Sequence, residues 1–453
     1  MFASTELKQV KVPAMNIAMG MYVSALDRPW SESPFLMQGF CVTSPKVLAK
    51  LQELCTYVIV DFAKSIGKPT DKKNYKLSTD PNFDTRKSDE PIQKSTEEIP
   101  VNREKYFRRP IMTTADVTAA RKSYTNVKES MGNAFQSLSE DSSIDSKSIA
   151  KASSALVNSA VRYPSALSWL ALMQKRNDQV YNHALRASTW ALLCGRHMGV
   201  EESELKYLTL AILLKDIGNL KNTESPSTDN SAKEMTREEA AIARTVALVK
   251  KSTKSKKVIS IIKTYREKFN GTGKPKGLIG EQIPLLARIA AIAIAYDLLL
   301  NPIGTTRAAL SPSEAAKYIY TQRGRAYQDE LAVLFIEALG TYPLGTLLQL
   351  DSGEIGVVVD HNAKARLKPT IMVVADEFGN PIEDWRIVKL SEIDNNSTNE
   401  AEGKPTITKI MRDLSADNLD LDMQKIQDKY QQLRGATSKK TRNRGFLSRL
   451  LRR

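Results

Sequence analysis

The sequence predicts a mainly helical protein with a small α+β unit at its start and a short β-rich extension after the helices. Three observations carry this. Apolar residues recur at helical spacing through most of residues 113–339. Residues 10–61 instead alternate apolar and polar groups around turn residues. Beyond Gly340, short β-branched runs take over, separated by Asp/Gly/Asn turns.

In chain order, residues 1–63 form the α+β unit, with a short helical stretch at 46–55 and a strand at Val58–Val60. Residues 64–112 are rich in Lys, Asp, Ser, Thr and Pro with little apolar content, so they read as a linker. The helical domain spans 113–339, with polar interruptions at 222–232 and 270–280. Residues 340–392 are the β-rich extension, expected as a meander built from 347–350, 355–359 and 370–374. A second linker is read at 393–416, then a helix near 417–433 that runs into a basic tail ending at 453.

At 453 residues the chain is long enough for two or three folded units, and 42% hydrophobic with 26% charged residues excludes a chain disordered throughout. The longest apolar run, Ile289 to Tyr296, is far short of the roughly 20 residues that a bilayer crossing needs. The polar first dozen residues lack the apolar core of a secretion signal, which predicts a cytoplasmic protein. Cys41, Cys55 and Cys194 are far apart and form no CxxC pair, as expected of reduced packing residues. From Lys425 onward ten cations face one carboxylate, so +9 of the net charge of +15 sits at the end of the chain. The remainder is only mildly basic, and nucleic-acid binding through the tail rests on charge alone.

The chain has three histidines, His183, His197 and His361. A multinuclear metal site for phosphoester hydrolysis normally combines several imidazoles with carboxylates, because bridged metals must be held while their water is acidified. Three scattered histidines make such a site hard to build.

Arg162-Tyr-Pro-Ser-Ala-Leu-Ser-Trp-Leu170, Asn182-His183-Ala-Leu-Arg186 and Leu213-Leu-Lys-Asp-Ile-Gly-Asn219 together resemble the opening of an HD-GYP domain, of the family that hydrolyses cyclic di-GMP, where the last motif normally reads His-Asp-Ile-Gly-Lys. Lys268-Phe-Asn-Gly-Thr-Gly-Lys-Pro-Lys-Gly-Leu278, then Ile283-Pro284, Ala287-Arg-Ile289 and Tyr296-Asp297, are similar to its DGSGYP loop and the following helix. Tyr342–Thr346 with Ser352–Val358 resembles the β-extension that often follows, and Gly20–Val23, Pro29-Trp30, Pro34-Phe35 and Gly39-Phe40 resemble the small domain that often precedes. The resemblance implies an HD-type helical bundle for the large domain.

It also implies a site that has lost most of its ligands. The first ligand histidine remains as His183, and the aspartate of the His-Asp pair as Asp216, but the paired histidine is Lys215. The next ligand falls at or near Ala241, the two histidines before the glycine loop correspond to Tyr265 and Arg266, and the later aspartate is Ile294. No intact catalytic or metal site is therefore expected, and Lys215 or Arg266 is expected to pair with Asp216 where the metal would sit. For His183 and Asp216 the alternatives are a packed helix polar residue and a helix-end carboxylate.

Among positions that grip nucleotide in the family, Lys276 keeps a basic residue, while Ile279, Asn219 and Lys274 replace the usual ones; with Arg288, Lys274 and Lys276 are the ligand-binding candidates. His197 and His361 match no ligand position. The resulting expectation is a catalytically silent binding or scaffolding component of bacterial cyclic di-GMP signalling that meets cyclic di-GMP, a diguanylate cyclase or another regulator. The rival is an active phosphodiesterase using iron, manganese or another divalent metal, with carboxylates such as Glu267 completing a site around His183 and Asp216. In the tail, Phe446, Leu447, Leu450 and Leu451 share a helical face beside Arg449, Arg452 and Arg453. That pattern suits an anionic inner-membrane surface or an acidic partner, or else a solvated basic end.

Overall fold

Alternating apolar residues near the start of the chain fold into strands β1 (Gln9–Pro13), β2 (Tyr22–Leu26), β3 (Phe40–Cys41) and β4 (Tyr57–Asp61), with helix α1 (Pro45–Leu54) before the last of them. The computed structural model describes most of residues 9–61, residues 65, 102 and 106, residues 114–393 apart from 142–145, 174–179, 220–236, 254, 304 and 362–366, residues 409–414, and most of 425–432. The polar interruption at 222–232 and the tail from 434 onward lie outside the described residues. The chain divides into two units, Met1–Lys94 with Asn362–Pro369, and the remainder.

In the first unit the antiparallel sheet runs β1-β4-β2-β3, with Gln9 opposite Asp61 and Pro13 opposite Tyr57. Its inward residues Val12, Val23, Val58 and Val60 are buried with Met21, Val42 and Leu51 of α1, as the two-residue period of a one-sided sheet requires. Cys41 and Cys55 are free thiols here, and Cys194 is a free thiol in the second unit.

The second unit is built on ten helices among the described residues: α2 (Thr114–Asp141), α3 (Ser146–Arg162), α4 (Pro164–Met173), α5 (Val180–Met198), α6 (Glu202–Leu214), α7 (Arg237–Ser252), α8 (Lys256–Thr264), α9 (Leu285–Leu300), α10 (Pro312–Thr321) and α11 (Asp329–Leu339). Helix α9, Leu-Leu-Ala-Arg-Ile-Ala-Ala-Ile-Ala-Ile-Ala-Tyr-Asp-Leu-Leu-Leu, is apolar nearly all round, which sends it to the centre, packed on α5. Helix α8 starts on Ser255, whose side chain accepts from the Val258 amide. Helix α10 starts on a Ser311/Glu314 capping box with Pro312 at its first position.

The β-extension is larger than the sequence predicts. Strands β5 (Leu347–Leu350), β6 (Ile355–Asp360) and β7 (Thr370–Ala375) are joined by β8 (Pro381–Lys389) and β9 (Ile410–Leu414) in the order β8-β7-β6-β5-β9. Strand β9 falls within 393–416, read from sequence as linker, and corrects that reading: it pairs with β5 and is fixed by Asp413, which accepts from the Ser313 amide and hydroxyl at 2.7 Å each. Strands β6 and β7 are apolar on both faces because both are covered. Their core takes in Trp169 of α4 and, from helical residues beyond 424, Ile426 and Tyr430.

Two residues inside the stretch read as linker, Asn102 and Tyr106, are bound to the end of α5. The Asn102 amide donates to the Met198 carbonyl (3.0 Å), Arg196 donates to the Tyr106 carbonyl (3.0 Å), and the Tyr106 hydroxyl donates to Val200 O (3.2 Å). Gly199, at φ +77°, permits the approach, since a Cβ there would lie 2.1 Å from Asn102 O.

Candidate functional site: a buried ion cluster in the helical domain

A single carboxylate in a helix as apolar as α9 must either find donors or lose its charge. Asp297 finds donors. It is fully buried and accepts from His183 Nδ1 (2.7 Å), Arg186 Nε (2.9 Å), Arg186 Nη2 (3.1 Å), Trp190 Nε1 (3.2 Å) and Asn301 Nδ2 (3.3 Å). His183, Arg186 and Trp190 occupy successive turns of one face of α5, at helical spacing toward α9. Burial alone would raise the Asp297 pKa, but Arg186 and His183 outweigh it and hold the carboxyl below the ordinary range. The His183 pKa is lowered, first by burial and then by Lys215, against the pull of Asp297. A neutral imidazole that donates Nδ1–H to Asp297 keeps its lone pair on Nε2.

The second pair lies at the end of α6. Lys215 and Asp216, both buried, form a direct ion pair between Nζ and Oδ2. Burial would raise the Asp216 pKa, but Lys215 outweighs it and the carboxyl is held low, with smaller help from His183 and Arg266. Asn219 Nδ2 stands 3.5 Å from Asp216 Oδ1. Thr245 of α7 clamps this turn: its hydroxyl accepts from the Gly218 amide (3.1 Å) and donates to Ala241 O (2.9 Å). Tyr265 closes the cluster, its ring 5.9 Å from Lys215 Nζ and its hydroxyl accepting from Arg266 Nε at 2.9 Å.

After α8 the glycine loop is organised by Glu267. The buried carboxylate accepts from the backbone amides of Lys276 (2.8 Å) and Leu278 (3.1 Å), so both oxygens serve the loop. Gly273 lies so close beneath that a Cβ would come within 2.1 Å of Lys268 N and 2.4 Å of Glu267 Cα. The amides of Phe269 and Asn270 donate to Ala326 O (3.0 Å) and Arg325 O (2.9 Å), which ties the loop to the turn before α11.

The structure thus brings His183, Lys215 and Asp216 into one buried neighbourhood, together with Tyr265 and Arg266. Lys274 and Lys276 are exposed on the loop, the Lys274 amide donating to Arg266 O at 3.4 Å, and Arg288 of α9 donates to Gln328 Oε1 at 2.5 Å. Glu267 faces the loop backbone instead of completing a set with His183 and Asp216. His197 lies 3.4 Å from Glu337, and His361 Nε2 donates to Tyr342 O at 2.8 Å. Sequence reasoning missed the role of Asp297; the signal was there, in an acid isolated in an otherwise apolar helix.

The residues present do not fit a divalent cation. An ammonium occupies the acidic side of the site, and among the described residues no three His, Cys, Asp or Glu side chains gather as ligands.

The HD domain profile matches residues 169–331, which hold α5, the Lys215-Asp216 pair, the glycine loop and α9. A domain of unknown function, DUF3391, matches 9–149, and a KOW domain associated with HD domains matches 347–399. Over 371 residues the chain is 24% identical to cyclic di-GMP phosphodiesterase PA4108 of Pseudomonas aeruginosa, covering 80% of this chain and 84% of that protein. The chain carries an HD domain. A second relative, the cyclic di-GMP phosphodiesterase response regulator RpfG of Xanthomonas campestris pv. campestris, is 30% identical over 149 residues, 31% of this chain and 39% of that one. Among solved structures, Bd1817, an HDG"Y"P protein from Bdellovibrio bacteriovorus, aligns at 17% identity and a TM-score of 0.40 over 73% of this chain and 99% of that one. The DUF3391 match takes in α2, so it extends past the sheet of the first unit into the helices.

Proposed function

We propose that this chain is an HD-GYP protein that is catalytically silent and serves cyclic di-GMP signalling as a binding or scaffolding regulator. One observation carries the reading: Lys215 stands where the family's motif has a histidine, and its ammonium is paired with the aspartate that would otherwise face a metal. A lysine fixed on Asp216 repels a divalent ion and cannot be replaced by one without breaking a buried pair. The inactive reading therefore expects no resident metal. Its relatives' names give cyclic di-GMP as the ligand class, and Lys274 and Lys276 on the glycine loop are the residues that would take its phosphates.

The test is a side-by-side assay of the purified full-length protein. Cyclic di-GMP binding is measured by calorimetry, and hydrolysis by product analysis with added manganese or iron. Binding without turnover, and no stoichiometric metal on elemental analysis, is the expected result. Turnover in the wild-type protein overturns the reading.

A further inference from the structure

Outside the tail, positive charge is concentrated in one stretch of the chain. From residue 240 to residue 266 there are eight cations and no acid, which leaves the rest of the sequence before Lys425 slightly acidic. The stretch takes in most of α7, all of α8 and the turn between them, where Lys250, Lys251, Lys254, Lys256 and Lys257 fall within eight residues.

The fold sorts these cations by type. The two arginines bond within the protein: Arg244 Nε donates to Gly218 O (3.2 Å) and Arg266 Nε to the Tyr265 hydroxyl (2.9 Å). The lysines face solvent. Lys250, Lys251, Lys256 and Lys263 are exposed, and among the described residues none of the four has a carboxylate partner, while Lys257 is paired with Glu204 of α6. Lys256 and Lys263 are two turns apart on α8 and share one side of it, opposite the buried Val258, Ile261 and Ile262. Helix formation does not call for this charge. Acids occupy the first turns of α6, α10 and α11, where the helix macrodipole favours them, but α8 has Lys256 and Lys257 in that place.

We infer that the turn between α7 and α8, with the Lys256 and Lys263 side of α8, is a docking surface for a bilayer bearing anionic lipid headgroups. The composition of the surface chooses the partner. A specific protein interface has an apolar centre, and between residues 240 and 266 no large apolar side chain is exposed among the described residues. Nucleic acid is gripped by arginine forks and stacked aromatic rings; here the arginines are bonded inward and Tyr265 is buried. A plane of anionic headgroups needs only point charges held close to it, which is what flexible lysines supply.

The experiment measures sedimentation of the full-length protein with phosphatidylcholine vesicles, with and without phosphatidylglycerol. The variant is Lys250→Gln with Lys251→Gln, Lys256→Gln and Lys263→Gln, which keeps the Lys257–Glu204 pair and replaces one good helix former by another. Circular dichroism and thermal midpoint check its fold, and each lysine pair is also changed separately in case the fourfold variant fails to fold. The pattern of the basic tail suits the same surface, so every protein is also made with Arg449→Gln, Arg452→Gln and Arg453→Gln, and the decision is taken in that background. The expected result is binding that needs phosphatidylglycerol, falls with added salt, and weakens about tenfold or more when the four lysines are neutralised. Unchanged partition in the neutralised protein overturns the inference. So does a tail-neutralised parent that no longer binds vesicles, since the lysine surface then holds no bilayer by itself. A labelled duplex DNA is run in parallel; DNA bound more tightly than vesicles and lost on neutralisation overturns the inference in favour of a nucleic-acid surface. None of these outcomes depends on whether cyclic di-GMP is bound or cleaved.

Discussion

His183 and Asp297, 114 positions apart in the chain, meet at 2.7 Å in a site that solvent does not reach. The contact sets the character of the centre. The carboxylate that closes helix α9 is committed to one imidazole, one guanidinium, one indole and one amide, and is not available as a metal ligand.

Removing that carboxylate should be costly. Asp297→Ala strands the Arg186 charge in the core, and denaturant unfolding should show a loss of about 3–5 kcal/mol. Replacing both partners, Asp297→Leu with Arg186→Met, should cost less than the sum of the single changes, since neither variant then leaves a buried charge alone.

Restoring the motif at one position should not restore chemistry. In Lys215→His the His-Asp pair is rebuilt, but Ala241, Tyr265, Arg266 and Ile294 still supply no ligand. Elemental analysis should find no stoichiometric manganese or iron, and cyclic di-GMP should remain intact. Lys215→Met should instead leave Asp216 buried without its cation and lower stability by about 3–5 kcal/mol.

Acidification should weaken the fold through His183. Its folded pKa is depressed from 6.5, so between the two values the unfolded chain binds the extra proton. Stability is then complete above pH 6.5 and declines as pH falls below it. Asp216 and Asp297, both depressed from 3.8, add a further loss only below that value. Urea midpoints across this range should slope downward toward acid, and His183→Gln should flatten the part that begins just below pH 6.5.

The cap that Asp413 provides should hold β9 in place. Asp413→Ala removes both acceptors of Ser313, and loss of a helix cap costs about 1 kcal/mol. Hydrogen exchange should speed up selectively at residues 410–414 and in the first turn of α10.

Much of this architecture is legible in the residues. Helices α5, α6 and α9 announce themselves by apolar faces, and the motif around Lys215-Asp216 marks where the site must lie. What escaped reading did so for physical reasons. Strand β8 breaks the apolar alternation with Glu383-Asp384 because it is an edge strand, largely open to solvent. Strand β9 is short, lies at the other edge and sits in a polar stretch, so its identity comes from pairing with β5 and not from its composition. Glu267 looked like a spare ligand because sequence shows its charge and not its direction; only the closed loop reveals two amides waiting for it.

Trp169 bears on how the second unit comes apart. The indole belongs to α4, yet it is 1% exposed within the apolar interior of the β-extension, beside residues that follow the last strand. A chain cut after α11 would lay a large aromatic surface bare to water, inviting aggregation. Bundle and sheet should therefore melt in a single transition, and a minimal fragment that preserves the ion cluster has to include the chain through Tyr430.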